Sequence, residues 1–162
     1  MISPESENEV PTRVRVGTAA LWAGRAVGAA LLVWTGWIHL HLWSEGYKHI
    51  KTIGPIFMVN FVVAMAIAVV LLAVPPRRLL ALAAASGAMF ALGTLGALVL
   101  SVNVGLFGFT ESSNAPFAHL SLWVEAGATA VLLATAIGAL LYRPAQELTP
   151  ETLRNSSPTT GL

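Results

Sequence analysis

Cysteine is absent from this chain of 162 residues. That absence excludes disulfide staples, thiolate nucleophiles, thiolate metal sites and covalent haem attachment through a Cys-x-x-Cys-His motif, so a redox role would require a non-covalently held group. Charge is scarce too. Asp, Glu, Lys and Arg make up 10% of the chain, against about 25% in soluble domains, while 56% is hydrophobic and the mean hydropathy is +0.72. A concentrated basic patch is also lacking: the nine cations are scattered and the net charge is +1, which gives no footing for nucleic acid. Neither a nucleophile–base pair nor a phosphate loop is present, because the glycine-bearing segment 105–113 lacks a Lys-Ser/Thr ending. The chain reads as a small integral membrane protein without an evident catalytic motif, not as a conventional enzyme.

What it has instead is four long apolar runs. Crossing about 30 Å of hydrocarbon takes about 20 residues at 1.5 Å each. Four charge-poor intervals meet that test and predict helices over 21–43, 54–74, 79–104 and 116–142, with Glu125 the single charge inside the last. The first run is too long for the apolar core of a signal peptide, and no small-x-small cleavage site follows His41. Pro75 and Pro76, followed by Arg77 and Arg78, predict a tight hairpin between the second and third helices. The expected fold is an all-α membrane protein, an antiparallel four-transmembrane-helix bundle over 19–143. Polar tails over 1–18 and 144–162, which have little to bury, are expected to be disordered.

Orientation follows from the cations, since cytoplasmic loops keep an excess of Lys and Arg. All seven arginines, Arg13, Arg15, Arg25, Arg77, Arg78, Arg143 and Arg154, fall on one side of this topology, and only Lys48 and Lys51 fall on the other. Both termini are therefore expected in the cytoplasm, with loops 44–53 and 105–115 on the outer face. Trp43, Tyr47, Phe107, Phe109 and Phe117 then mark the outer edge, and Trp22 and Tyr142 the inner. Small residues four apart predict packing faces: Ala126, Ala130, Ala134 and Gly138 on the fourth helix, Gly93 and Ala97 on the third, Gly24 and Gly28 on the first.

The candidate site consists of His39, Asn60, His119 and Glu125. Counted at 1.5 Å per residue from the expected outer helix ends, His39 lies about 6 Å deep, His119 about 4.5 Å, Asn60 about 9 Å and Glu125 about 13.5 Å. At 100° per residue His39 and His41 diverge by about 200°, so His-x-His is a weak metal motif on a helix. Thr35 shares the His39 face. Trp34, Trp37 and His41 form a different, interfacial or lipid-facing stripe. Ser121, Glu125 and Thr129 form one polar line, from which His119 is about 120° away. A carboxylate at mid-helix costs about 2.5 to 3.5 kcal/mol on insertion scales unless paired or protonated, which predicts that Glu125 faces the interior. His49, in the lysine-bearing loop, reads as solvated.

These residues support two readings. Glu125 and the histidines are either packed polar residues of a structural or accessory membrane component, or a site that handles a proton, a quinone or a lipid, the apolar ligand lying between Trp34, His39, Asn60 and Glu125. Haem b ligated by His39 and His119, the pair closest in depth, is the sharpest cofactor possibility, although no cofactor is the simplest expectation. The expected partners are the lipid bilayer and a larger membrane protein complex.

The segment from His39-Leu40-His41-Leu42-Trp43 through Gly46-Tyr47-Lys48-His49-Ile50-Lys51-Thr52-Ile53-Gly54-Pro55-Ile56-Phe57 resembles a set of uncharacterised bacterial four-span integral membrane proteins. The stretch Gly105-Leu106-Phe107-Gly108-Phe109-Thr110-Glu111 and Glu125 are similar too, so the resemblance covers about 25–140. In many relatives the position of Lys51 is proline, which implies a stiffer loop there. The resemblance implies a plasma-membrane bundle and brings no catalytic residues with it.

Overall fold

Four stretches of unbroken helix-forming sequence give four helices: α1 (Thr12–Glu45), α2 (Ile53–Ala73), α3 (Arg77–Asn103) and α4 (Ala118–Leu141). The computed structural model describes residues 12–73 and 76–141, the side chains of 12–16 excepted. Residues 1–11, 74–75 and 142–162 lie outside that description, and with them most of both expected tails and Arg143, Arg154 and Tyr142. Each helix is long and apolar enough to cross a membrane. Among the described residues there is no strand, only the isolated bridge between Leu106 and Phe109.

Two helix starts differ from expectation. α1 begins at Thr12 instead of 21, so 12–18 is helix and not tail. Arginine is itself a good helix former, so the cations at 13 and 15 do not end a helix. α4 begins at Ala118, not 116, because Phe117 takes a left-handed φ of 67° that cannot propagate a right-handed helix.

Helix α3 packs most broadly on α4, and α1 packs on both α2 and α4; α2 and α3, although consecutive, share the narrowest contact of the neighbouring pairs. In the half nearer Arg77 the core is mostly alanine around a few leucines: Ala29, Leu32, Leu71, Ala84, Ala128 and Leu132 are at most 3% exposed. Glycine makes the close approach of Leu132 possible at two positions. A Cβ on Gly28 would overlap the Leu132 side chain, and one on Gly87 would lie 2.9 Å from Leu132 Cδ1 and 3.2 Å from Ile67 Cγ2. Gly24 meets Thr135 in the same way, so the small pair expected on α1 is a packing face.

The stripe expected on α4 is not. Ala126, Ala130 and Ala134 are exposed, whereas Ser121, Glu125, Ala128, Leu132, Ala136 and Ala139 are buried. A strict spacing of four drifts about 40° per step on a helix of 3.6 residues per turn, whereas the buried set mixes fours with threes and stays on one face. The large Leu132 is α4's contribution, seated in gaps left by glycines on α1 and α3. Gly93 on α3 also has open space around it.

Arg25 lies well inside α1 and is 5% exposed. Its Nε donates to the Leu71 carbonyl at 2.9 Å and its Nη2 to the Leu72 carbonyl at 3.0 Å, while the guanidinium sits 4.3 Å from the Trp22 ring. The last carbonyls of a helix have no partner within it and carry the negative end of its dipole, so Arg25 caps α2 across the bundle.

Candidate functional site

At the other end, two loops form a roof. A turn of 3-10 helix, Tyr47–His49, follows α1. Gly105, at φ 82°, ends α3 and returns its N–H to Leu100 O at 3.1 Å. Leu106 and Phe109 then exchange backbone hydrogen bonds of 2.7 and 2.9 Å across Phe107 and Gly108, both at positive φ, a primed hairpin turn. Tyr47 joins the two loops: its hydroxyl donates to Glu111 Oε2 at 2.6 Å, its ring stacks on Phe57 at 5.0 Å, and it meets Phe109 edge-on at 5.9 Å. Burial, and then the hydrogen bond and charge of Glu111, hold the Tyr47 phenol above the usual tyrosine range.

Beneath that roof is a cavity of about 100 Å³. His39 from α1, Asn60 from α2 and Glu125 from α4 all line it, together with Ser101 of α3, Ser121 of α4, Glu111 of the roof and an otherwise apolar wall that includes Ile38, Phe57 and Leu98. The observed helix ends explain why these three meet. His39 is six residues before the end of α1, and Asn60 and Glu125 are each seven residues past their helix starts, so all three lie about 9 to 10 Å below the roof. Sequence-based depths had spread them over about 6 to 13.5 Å.

Glu125 is 2% exposed, and its Oε2 is buried without a hydrogen-bond partner. The buried Thr94 hydroxyl of α3 lies beside the carboxyl and donates to the Ala91 carbonyl at 3.0 Å. Thr129, on the polar line expected for α4, donates to the Glu125 backbone carbonyl at 2.8 Å and not to its carboxyl. His39 is 8% exposed, with Nδ1 2.8 Å from the Thr35 carbonyl and its ring edge-on to Phe57 at 5.1 Å. A carbonyl oxygen only accepts, so Nδ1 carries the hydrogen, and in the neutral ring Nε2 is an acceptor. Thr35 shares this face, as the spacing predicts, and is fully buried with its Oγ1 unpartnered.

The remaining expectations separate from this site. His119 is exposed and lines a different groove, against Val99, Val102 and Asn103. His39 and His119 therefore do not bracket a common iron site, and this pair does not fit haem b. Trp34 is 51% exposed and lies in a surface depression with Ala30, Val33 and Trp37, away from the cavity. His41 stacks on Trp37 at 5.1 Å and meets Phe117 edge-on, which makes the interfacial stripe an aromatic cluster. His49 is exposed. Among the described residues no group of three or more His, Asp or Glu side chains is placed to hold a metal ion.

Three contributors were missed in the sequence: Thr94, Tyr47 and Glu111. Thr94 stood out only as a polar residue in an apolar run. Glu111 was the one carboxylate of its loop, and its partner lies 64 residues away. Comparison of the chain with protein-family models, with curated proteins and with solved structures returns no significant match. The chemistry of the site is one carboxyl oxygen lacking a partner, one amide and one imidazole acceptor at a common depth in a mostly apolar cavity.

Proposed function

We propose that this is a multi-pass protein of the bacterial plasma membrane that holds an uncharged amphipathic ligand, a quinone or a lipid head, at His39, Asn60 and Glu125. In this reading the bundle is antiparallel with both termini in the cytoplasm, because Arg25 and Arg77 stand at one end and Lys48 and Lys51 at the other. The cavity then lies in the outer half. Membership of the bacterial four-span set that the loop motifs resemble belongs to the same proposal.

The observation that carries it is the buried Glu125 oxygen without a partner, in a wall shared with His39 and Asn60. A buried polar atom left unsatisfied costs about 1 to 3 kcal/mol. Such groups are rare enough in native structures to call for an explanation, and in membrane helices ionisable residues mark ligand or proton pathways. A ligand hydroxyl donating to Glu125 or His39, and a ligand carbonyl accepting from Asn60, would satisfy the site.

Native mass spectrometry of the protein released from its own membrane in mild detergent tests this. The expected result is an adduct of quinone or lipid mass on the wild-type chain that is lost in Glu125→Leu and Asn60→Leu. A bare wild-type chain, or an adduct retained by both variants, contradicts it. A structural or accessory role in a larger complex is the second reading. It is favoured by the exposed α4 face of Ala126, Ala130 and Ala134, beside a Trp123 that is 79% exposed, where a partner helix would approach closely.

A further inference from the structure

Two carboxyl groups share one cavity. Glu125 lies about 10 Å below the roof and Glu111 lies in the roof itself, yet both line the same space. Glu111 is half-buried and firmly placed: its N–H donates to the Ser101 carbonyl at 3.2 Å, its Oε1 accepts from the Ser112 N–H at 2.9 Å, and its Oε2 accepts from Tyr47. Between the two carboxyls the wall supplies Ser101 and Ser121, both buried. Ser101 is about 3 Å below the end of α3 and Ser121 about 4.5 Å below the start of α4, one turn above Glu125 on nearly the same face. Polar groups thus run from the roof to Glu125. Beyond Glu125 the bundle is closed, for Ala128 and Leu132 on α4 and Ala91 on α3 are all 0% exposed. A cavity of about 100 Å³ has room for about three waters, at the roughly 30 Å³ that each occupies in the liquid. Buried water also needs polar partners, and the unpartnered Glu125 Oε2, Ser121, Ser101, Asn60 and Glu111 supply them.

We propose that water in this cavity forms a proton path joining Glu125 to the aqueous phase beyond the roof, and that Glu125 takes up and releases protons from that side only. In uptake, a protonated Glu111 carboxyl gives its proton to a cavity water, the proton hops along the file, and an O–H bond forms on the Glu125 carboxylate. Glu111, left as a carboxylate, regains a proton from bulk water. Release runs the same steps in reverse. Only a proton is transferred, and ionisable residues inside membrane bundles commonly serve as such relays. Two other titratable side chains share the cavity with Glu125: His39 of α1, whose Nε2 is a second proton acceptor, and Glu111, which Tyr47 bonds from the other roof loop. Helix α2 contributes the uncharged Asn60, and α3 contributes Ser101 and, beside the carboxyl, Thr94. The path is a property of the ligand-free protein, so it does not depend on the reading of these residues as a site for a larger molecule.

The test is the infrared carbonyl band of the protonated Glu125 carboxyl in the full-length protein, reconstituted in lipid without added ligand and assigned by its loss in Glu125→Gln. On a change to heavy-water buffer, exchange of the carboxyl proton for deuterium shifts that band. The expected exchange is about tenfold or more faster than that of the α4 backbone amides, which wait on helix opening. Ser121→Leu fills the file and is expected to slow it about tenfold or more. Glu111→Gln keeps an acceptor for Tyr47 but has no acid proton to pass on, and it is expected to slow exchange as well. Wild-type exchange no faster than the α4 amides overturns the path, as does a rate unchanged in either variant. A Glu125 that shows no protonated band at any pH where the protein stays folded also overturns it. Should Ser121→Leu fail to fold, the wild-type rate and Glu111→Gln decide. A quinone or lipid adduct in the mass spectrum without fast carboxyl exchange removes the path and leaves the ligand site, whereas fast exchange in a chain without an adduct does the reverse.

Discussion

In the half of the bundle nearer Arg77, Leu132 fills the space left by Gly28 and Gly87, alanines close the gaps around it, and Arg25 satisfies the carbonyls at the end of α2. The half nearer the loops contains a cavity, two buried polar oxygens without partners on Thr35 and Glu125, and all three non-glycine residues with positive φ among the described residues, Thr52, Phe107 and Phe117. Small residues in the first half bring helices together because their neighbours supply a large side chain to fill the gap. In the second half the exposed Gly93 has no neighbouring side chain set against it. Strain and unsatisfied groups persist where function requires them and the surrounding structure bears the cost. The contrast separates a closely packed half from one that holds a cavity and unsatisfied polar atoms.

The largest effect should come from the packing half. Leu132→Ala removes a fully buried side chain seated against Gly28 of α1 and Gly87 of α3, which cannot both close in, and it is expected to cost about 2 to 5 kcal/mol. Unfolding in a rising mole fraction of sodium dodecyl sulfate, followed by far-ultraviolet circular dichroism, measures it. A loss well under 1 kcal/mol would mean that this core is loose, and the comparison would fail.

A smaller effect is expected at the roof. Tyr47→Phe removes one hydrogen bond, worth about 0.5 to 1.5 kcal/mol, and it changes the response to pH. The folded protein holds the Tyr47 phenol protonated above its ordinary range, with burial the main cause. In the unfolded chain it ionises near 10. The raised value therefore contributes stability that is fully present below about pH 10 and is lost as pH climbs from there toward the folded value. Wild-type stability should decline more steeply than that of Tyr47→Phe as pH rises above about 10. Parallel declines would show that the Tyr47–Glu111 bond does not hold the roof.

How much of this was legible in the sequence depends on the range of the interaction. The four spans, the buried Thr35–His39 face, the polar line from Ser121 through Glu125 and the exposed Trp34 and Trp37 all follow from hydropathy and the 100° step. Helix ends were less legible, and they mattered. Starting α4 at 116 placed Glu125 too deep and set His39 level with His119, whereas the left-handed Phe117 delays α4 until Ala118 and brings Glu125 level with His39 and Asn60. The stripe of Ala126, Ala130 and Ala134 misled because spacing alone does not say whether a small residue faces a neighbour or lipid. Thr94 beside Glu125 and Tyr47 bonded to Glu111 join residues far apart in the chain, and no local pattern announces them.

Whether Glu125 serves a ligand or packing is decided by the stability of ligand-free Glu125→Leu in the same dodecyl sulfate titration used for Leu132→Ala. Replacing a buried carboxyl that has an unsatisfied oxygen by an apolar side chain of similar size is expected to leave stability unchanged within about 0.5 kcal/mol or to raise it by about 1 kcal/mol. A loss of about 2 kcal/mol or more, in the range of Leu132→Ala, would make Glu125 a packing residue and contradict the account.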